Sequence, residues 1–336
     1  TNNIGNLLNL INHAETISPI TEIYTDFDNS IDNSIPINKS NVTGMVTIQI
    51  GCNNSCSFCI VPSVRGIEKS RRPLDIYEDV NRLSQDGVKE VLLLGQNVNS
   101  YGRDLKIENK HSPYFIELLM ILKDIDGIER IRFISPHPKD VNQNLVNVIS
   151  DNYKLCNHIH LPLQSGSDKV LFDMKRGYTQ KKYMKKVEMI KEAKTDISIT
   201  TDIIVGFPGE TKEDFEDTLD IVKQVNFDSI FMYKFSSRPG TAASKMSNKF
   251  VEPEIIDKRF NELKKIQTLI SEVSLKRFVG TSQVVLVEGP SKKNKSKSTG
   301  RTDGNIIVIL DKIYKEGTLQ SCIIVDNTPF VLYGKV

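Results

Sequence analysis

The chain has 336 residues, of which 39% are apolar and 26% charged, and its net charge is only +2. It can bury a large core with a small domain attached. No run approaches the ~18 continuous apolar residues of a membrane span, and no basic-then-apolar leader pattern is present, so no membrane partner and a cytoplasmic location are expected.

Charge is uneven along the chain. Residues 1–40 carry Glu15, Glu22, Asp26, Asp28 and Asp32 against Lys39, a net of −4, whereas "SKKNKSKSTGR" at 291–301 carries Lys292, Lys293, Lys295, Lys297 and Arg301 with no acid. The second run fits a polyanion, the alternative being a solvated, mobile hairpin.

From about residue 45 to 235, short apolar runs alternate with amphipathic ones. Strands are expected at "MVTIQI" (45–50), "EVLLLG" (90–95), "RIRFIS" (130–135), "HIHLPL" (158–163), "ISITTDIIVG" (197–206) and "SIFMYKF" (229–235). Between them, Ile76, Val80 and Leu83 recur at helical spacing, with Gly87 as the stop. Thr211 and Asp214 open a second helix whose stripe is Phe215, Leu219 and Val222. Six β-then-α units predict an α/β fold with a parallel sheet, and six being fewer than eight, an open, partial (β/α)6 barrel.

A helix from about 253 to 278, with Ile256, Phe260, Leu263 and Ile266 on one face, is expected to connect this barrel to a second domain. The short, turn-bounded runs "SQVVLVEG", "GNIIVIL", "SCIIV" and "FVLYG" suit a small five-stranded all-β barrel carrying the basic loop. The expected divisions are 1–40, 41–250, 251–272 and 273–336.

In parallel α/β sheets ligands bind at the carboxyl ends of the strands. Those ends here read Cys52-Cys56-Cys59, Gly95-Gln96-Asn97, Ser135, Gln164-Ser165-Gly166, Gly206 and Ser236-Ser237. Loops are rich in Gly, Ser and Asn for turn reasons alone, which accounts for the serines but not for three of five cysteines within eight positions. In a reducing compartment such a cluster is read as metal ligation, and an odd total argues against disulfides. Cys156 and Cys322 lie in apolar runs and read as core residues. Structural zinc wants four closed ligands; His158 and His160, alternating in one strand, could complete such a site only through space. An iron–sulfur cluster with three thiolates leaves one iron free to bind something else.

"CNNSCSFC" resembles the Cys-x3-Cys-x2-Cys signature of radical S-adenosylmethionine enzymes. In order along the chain, "GCNNSCSFCIVPSVRG", "LLLGQNVNSYG", "HLPLQSGSDKVLFDMKRGYT" and "TDIIVGFPGETKEDFEDTL" resemble the methylthiotransferases of that class, and "VEGPSKKNKSKSTGRTDGNIIVIL" resembles their TRAM domain, an OB-like, RNA-binding barrel. "GQNVNSYG" and "MKRGYT" are most similar to members acting on tRNA, at N6-isopentenyladenosine beside the anticodon, and less so to those modifying a ribosomal-protein aspartate.

The resemblance implies one 4Fe-4S cluster on Cys52, Cys56 and Cys59, with S-adenosylmethionine at its open iron. It implies tRNA as partner and an electron donor such as flavodoxin or ferredoxin, in a monomer. Around the cofactor, Phe58 is placed to pack on the adenine. Gln96 and Asn97 stand where related enzymes carry a Gly-Gly-Glu turn, Gln164 and Ser165 near ribose or carboxylate, and Gly206 where backbone meets adenine; loop packing is the plain alternative for Phe58. Arg176 is expected on the cofactor carboxylate, on an RNA phosphate, or in a helix-end ion pair. Arg65, Lys69, Arg71 and Arg72 are expected to meet RNA, or simply solvent, as is the basic run from Lys292 to Arg301. The family also carries an auxiliary 4Fe-4S cluster on three further cysteines, and residues 1–40 contain none. They therefore read as a remnant of that N-terminal domain, and this chain is expected to cleave the cofactor without completing sulfur insertion. A metal-stabilised RNA-binding protein without chemistry is the reading from a different class.

Overall fold

The computed structural model describes residues 7–16, 42–105, 114–194 and 196–336. Of the segment expected as a domain remnant, helix α1 (Leu7–Thr16) is described, and the rest of 1–40 lies outside the described residues.

The first expected strand is two. Strand β1 (Thr43–Thr47) runs into the barrel, and β2 (Gln49–Ile50) leaves it to pair antiparallel with β3 (Lys69–Ser70). The break falls at Ile48, whose N–H donates to Leu94 O (2.9 Å) while its own carbonyl accepts from Arg71 N (2.9 Å). One residue thus belongs to both sheets, which continuous apolar character in the sequence conceals. Between β2 and β3 lies the cysteine loop, with the short helix α2 (Val61–Arg65).

Helix α3 (Pro73–Gln85) starts with Pro in its first turn, buries Ile76, Val80 and Leu83, and is followed by Gly87 at φ 87°. Strand β4 (Glu90–Leu94), α4 (Phe115–Leu122), β5 (Arg130–Phe133), α5 (Gln143–Asp151), β6 (His158–His160), α6 (Asp168–Asp173), α7 (Gln180–Ala193), β7 (Ser198–Val205), α8 (Lys212–Val225) and β8 (Ser229–Lys234) follow. The α8 capping box is present, Thr211 and Asp214 exchanging backbone-to-side-chain bonds.

All six barrel strands are parallel, but they form two three-stranded sheets, β1-β4-β5 and β6-β7-β8. Among the described residues a single backbone bridge joins them: Ile131 N–H donates to Lys154 O (2.7 Å) and Ile131 O accepts from Cys156 N (3.0 Å). The six strands therefore follow one another in chain order as an open barrel. The apolar face of each strand, with Val46, Val91, Leu93, Ile131, Ile159, Ile199 and Ile203, packs outward into one core with the helices.

Helix α9 (Pro253–Lys276) runs four residues past the expected connector boundary at 272. Its inner face mixes Leu263 with buried Arg259, Gln267 and Ser271, because it meets loop carbonyls as well as side chains: Gln267 Nε2 donates to Phe227 O (2.7 Å). Leu275, near its end, enters the second core.

That core belongs to a closed barrel, ordered β10-β11-β13-β12-β9, of β9 (Ser282–Pro290), β10 (Ser298–Arg301), β11 (Ile307–Leu310), β12 (Leu319–Asn327) and β13 (Leu332–Lys335). The strand without an apolar run of its own is β10, "STGR", the last part of the expected basic loop. The loop proper is therefore 291–297, and Arg301 sits on the barrel wall beside Glu288 (2.9 Å). Cys156 and Cys322 are both buried; Cys322 belongs to the closed-barrel core, whereas Cys156 lies beside Glu90 (3.9 Å) and not in an apolar cluster.

Candidate functional site

The cysteine loop is closed at its base by the β2–β3 pair. Gly51 starts it at φ 75°, where a Cβ would lie 2.0 Å from Ile67 O, so both conformation and space demand glycine. Cys52 N–H donates to Gly66 O (3.1 Å), and Asn53 and Glu68 exchange bonds across the base. The middle of the loop is pinned from another element: Ser57 donates through its N–H to Met174 O (3.1 Å) and through its hydroxyl to Asp173 O (2.7 Å) at the end of α6.

The three thiols are free and half-buried. Burial pushes the Cys52 and Cys59 thiols up, against hydrogen bonds that pull them down. Cys52 Sγ accepts from the backbone N–H and side-chain amide of Asn54 (both 3.4 Å), and Cys56 Sγ accepts from Arg176 Nη1 (3.2 Å). Amide and guanidinium donors aimed at sulfur favour thiolates, the form that binds metal. Among the described residues no three His, Cys, Asp or Glu side chains converge to hold a single ion. His158 and His160, which would have to complete a zinc site through space, lie on β6 and are engaged there. Both histidines bind Thr200 Oγ1 (2.9 and 3.0 Å), and His160 Nε2 faces Asp202 (3.3 Å). Three free thiols on one loop, two of them accepting from amide or guanidinium donors, fit the donor set of an iron–sulfur cluster with three thiolate ligands.

Arg176 is neither solvent-facing nor in a helix-end ion pair. It is buried, bonded also to Tyr178 Oη (3.1 Å) and Pro162 O (3.3 Å), and stacked 5.4 Å from the Tyr178 ring centroid. Its guanidinium faces the Cys56 sulfur, inside the fold.

The other expected residues divide. Phe58 is half-buried against Val170, Met174, Phe207 and Ala243. Gln96 is exposed, but Asn97 is buried, accepting from His137 N (3.2 Å) and donating to Asp140 (3.3 Å), so its amide organises the loop after β5. Gln164 takes φ 71°, and Ser135, one strand earlier, φ 63°; two non-glycine residues in the left-handed region mark the rim. Ser165 is turned away from the mouth, its hydroxyl contacting Thr218 Oγ1 (3.3 Å). Gly206, at φ 78°, has Ile256 of α9 where a Cβ would be (2.4 Å), so helix packing accounts for the glycine. Arg71 is a correction: its guanidinium is buried on Asp79 (2.8 Å) and Thr47 O (3.1 Å), out of reach of a phosphate, whereas Arg65 is exposed on α2.

Below the rim, the inward faces of β6, β7 and β8 line a cavity of about 600 Å³ with His160, Asp202, Phe231 and Tyr233, floored by Arg301, Gly304 and Asn305 of the closed barrel. Sequence reading missed Asn54, Tyr178 and Lys139. Asn54 lay inside the quoted motif, and its short amide between two cysteines was the available signal.

Residues 46–222 match the sequence profile of the Radical SAM superfamily, and the chain belongs to it. The fold is shared with coproporphyrinogen III oxidase (HemN) from Escherichia coli, at 13% identity and a TM-score of 0.51 over 78% of this chain and 64% of that one. Within the superfamily the chain belongs to the family of the tRNA-2-methylthio-N(6)-dimethylallyladenosine synthases. It is 43% identical to the Desulforamulus reducens member over 339 residues, all of this chain and 73% of that protein. It is 50% identical to the Syntrophus aciditrophicus member over 275 residues, 82% of this chain and 58% of that one. Among the described residues no helix is long and apolar enough to cross a membrane.

Proposed function

We propose that this chain is the catalytic and RNA-binding portion of a radical S-adenosylmethionine methylthiotransferase acting on N6-isopentenyladenosine beside the anticodon of tRNA, in the cytoplasm. The observation that carries this is the placement of Cys52, Cys56 and Cys59, with Asn54 and Arg176 donating to two of their sulfurs, at the rim of a partial barrel with a cavity below. The three cysteines would hold one 4Fe-4S cluster. When bound and reduced, such a cluster with an open iron supplies reductive cleavage of S-adenosylmethionine, giving the carbon radical that removes an aryl hydrogen no base can take.

The chain's own residues provide the rest. Arg176 and Asn54 aim hydrogen-bond donors at the Cys56 and Cys52 sulfurs. Gln96 and Gln164 have side chains free of hydrogen bonds among the described residues and are the amides available to the cofactor; Phe58, packed against Val170, Met174, Phe207 and Ala243, would offer it an aromatic ring. Asn97 and Ser165 position loops, and Gly206 lets α9 close on the rim. Phe231 and Tyr233 offer aromatic faces to a base in the lumen. The exposed Lys292, Lys293 and Lys295 would meet RNA phosphates, and a flavodoxin or ferredoxin would supply the electron.

Anaerobic reconstitution tests this. The chain should take up about four irons and form 5′-deoxyadenosine from S-adenosylmethionine under dithionite. A colourless protein without cofactor cleavage would falsify it, and about eight irons would overturn the single cluster. Mass analysis of tRNA nucleosides from cells with and without the gene separates tRNA from a ribosomal-protein aspartate as the target.

A further inference from the structure

At the rim, between the loops that follow β5 and β6, lies a cleft of about 360 Å³ outside the lumen. Its walls are the 3-10 turn Pro138–Asp140, with Lys139, and the face of α7 carrying Lys182, Lys185 and Lys186; Tyr178 forms its floor. Spacing of 182, 185 and 186 puts the three lysines on one helical face. Among the described residues none of these four lysines is in a side-chain ion pair. None of the lining residues is acidic, and Asp140, in the same turn as Lys139, is already held by Arg103 (2.8 Å). The cleft is thus a concentrated positive surface with no charge of its own to balance it.

What separates it from an ordinary basic face is its connection inward. Tyr178 lies against Arg176, and Arg176 donates to Cys56 Sγ (3.2 Å). On the opposite wall Lys139 donates to the side chain of Asn54, whose amide donates to Cys52 Sγ (3.4 Å). Two chains of contacts, each one or two residues long, run from the cleft to two of the three cysteines without crossing the lumen. A surface serving only RNA phosphates needs no such connection, and the exposed lysines of the 291–297 loop already provide one.

We propose that this cleft docks an acidic one-electron carrier protein. One electron leaves the carrier, which is oxidised, and reduces by one electron the cluster held by the cysteines. The proposal rests on the reading of those cysteines as cluster ligands.

The test is anaerobic calorimetric titration of the reconstituted full chain with oxidised flavodoxin and, separately, with an anticodon stem-loop RNA. The variant is Lys182→Glu/Lys185→Glu/Lys186→Glu, and the control is Lys292→Glu/Lys293→Glu/Lys295→Glu, which makes the same charge change elsewhere. The cleft variant should bind flavodoxin at least about tenfold more weakly, with stem-loop affinity and dithionite-driven 5′-deoxyadenosine formation unchanged; the control should lose stem-loop affinity and keep flavodoxin binding. No flavodoxin binding by the wild-type chain, equal loss in both variants, or a cleft variant that loses the stem-loop instead, overturns the proposal. The last outcome assigns the cleft to RNA. Lack of 5′-deoxyadenosine from the wild-type chain under dithionite would count against the cluster reading, while the titrations still decide the cleft.

Discussion

The two barrels of this chain use the same alternation for opposite ends. In the closed barrel the inward positions are Val285, Val287, Val308, Leu310, Cys322, Ile324 and Leu332, an apolar core with nothing titrating in its middle except a thiol raised by burial. In the open barrel the inward positions include Glu90, Arg130, Arg132, His158, His160, Thr200 and Asp202, while Val91, Leu93, Ile131, Ile159, Ile199 and Ile203 of the same strands face the helices. A period of two fixes which residues share a face, and what covers that face decides whether it becomes core or site. The open barrel has a helical layer outside to absorb its apolar face, so its lumen is free to be polar. The small barrel has no second layer, and its interior must be its core.

The sharpest way to break this contrast lies where the barrels meet. Arg132 is paired with Glu90 through two bonds (3.1 and 3.2 Å) and donates to Asp303 O (3.1 Å); Arg130 donates to Arg301 O and Val284 O (both 2.8 Å). The polar lumen thus holds the apolar barrel by its backbone. Arg132→Met leaves Glu90 buried without a counter-charge and should cost about 3–5 kcal/mol in urea unfolding. The double variant Arg132→Met/Glu90→Leu should recover most of that loss. A double variant as unstable as the single one would show that the carbonyl contact, not the ion pair, carries the docking.

How much of this could be read from sequence follows from the same contrast. All six open-barrel strands and the two named helices were legible because their outward faces are apolar and periodic, and the cysteine loop because three thiols at that spacing have few other uses. The split at Ile48 was not, since one apolar residue serving two sheets leaves no mark. Nor was β10, whose "STGR" looks like part of a basic loop until pairing with β9 and β11 is seen. The burial of Arg71 and Arg176 was hidden because a charged letter reads as surface, while their partners, Asp79 and Cys56, come from other turns of the chain.

A second test uses pH. The five histidines all precede residue 161, so acid sensitivity from imidazole belongs to the open-barrel side. Burial, then Arg176, Lys139 and Arg103, push His137 down to about 2; burial, then Arg132, His160 and Arg301, push His158 well below its ordinary value. Both stay neutral in the fold, while the unfolded chain takes up protons below about 6.5. Their contribution is intact above that value and is lost as pH falls below it, by about 1.4 kcal/mol per pH unit for each group. Between pH 6.5 and 5.5, His158→Gln should lose roughly 1 kcal/mol less unfolding free energy than the parent chain. Parallel pH profiles would mean that His158 is already protonated in the fold.

The smallest expected effect is on the closed barrel's surface, and it asks whether that barrel has a site at all. The loop is a built turn: Asn294 accepts through its side chain from Ser296 N (3.0 Å) and through its carbonyl from Lys297 N (3.1 Å), and Ser291 N closes onto Lys297 O (2.8 Å). Lys292, Lys293 and Lys295 project from it exposed, whereas Arg301 is tied to Glu288 and to Asn305. If the turn presents lysines to RNA phosphates, Lys293→Gln should reduce the slope of log affinity against log salt by about 0.7–0.9 for stem-loop RNA, with the unfolding midpoint unchanged. Arg301→Gln should leave the slope alone, because its charge is already spent within the barrel wall. Equal effects from the two would mean that RNA reads the barrel's net charge and not the turn, and the fixed geometry around Asn294 would then serve folding only.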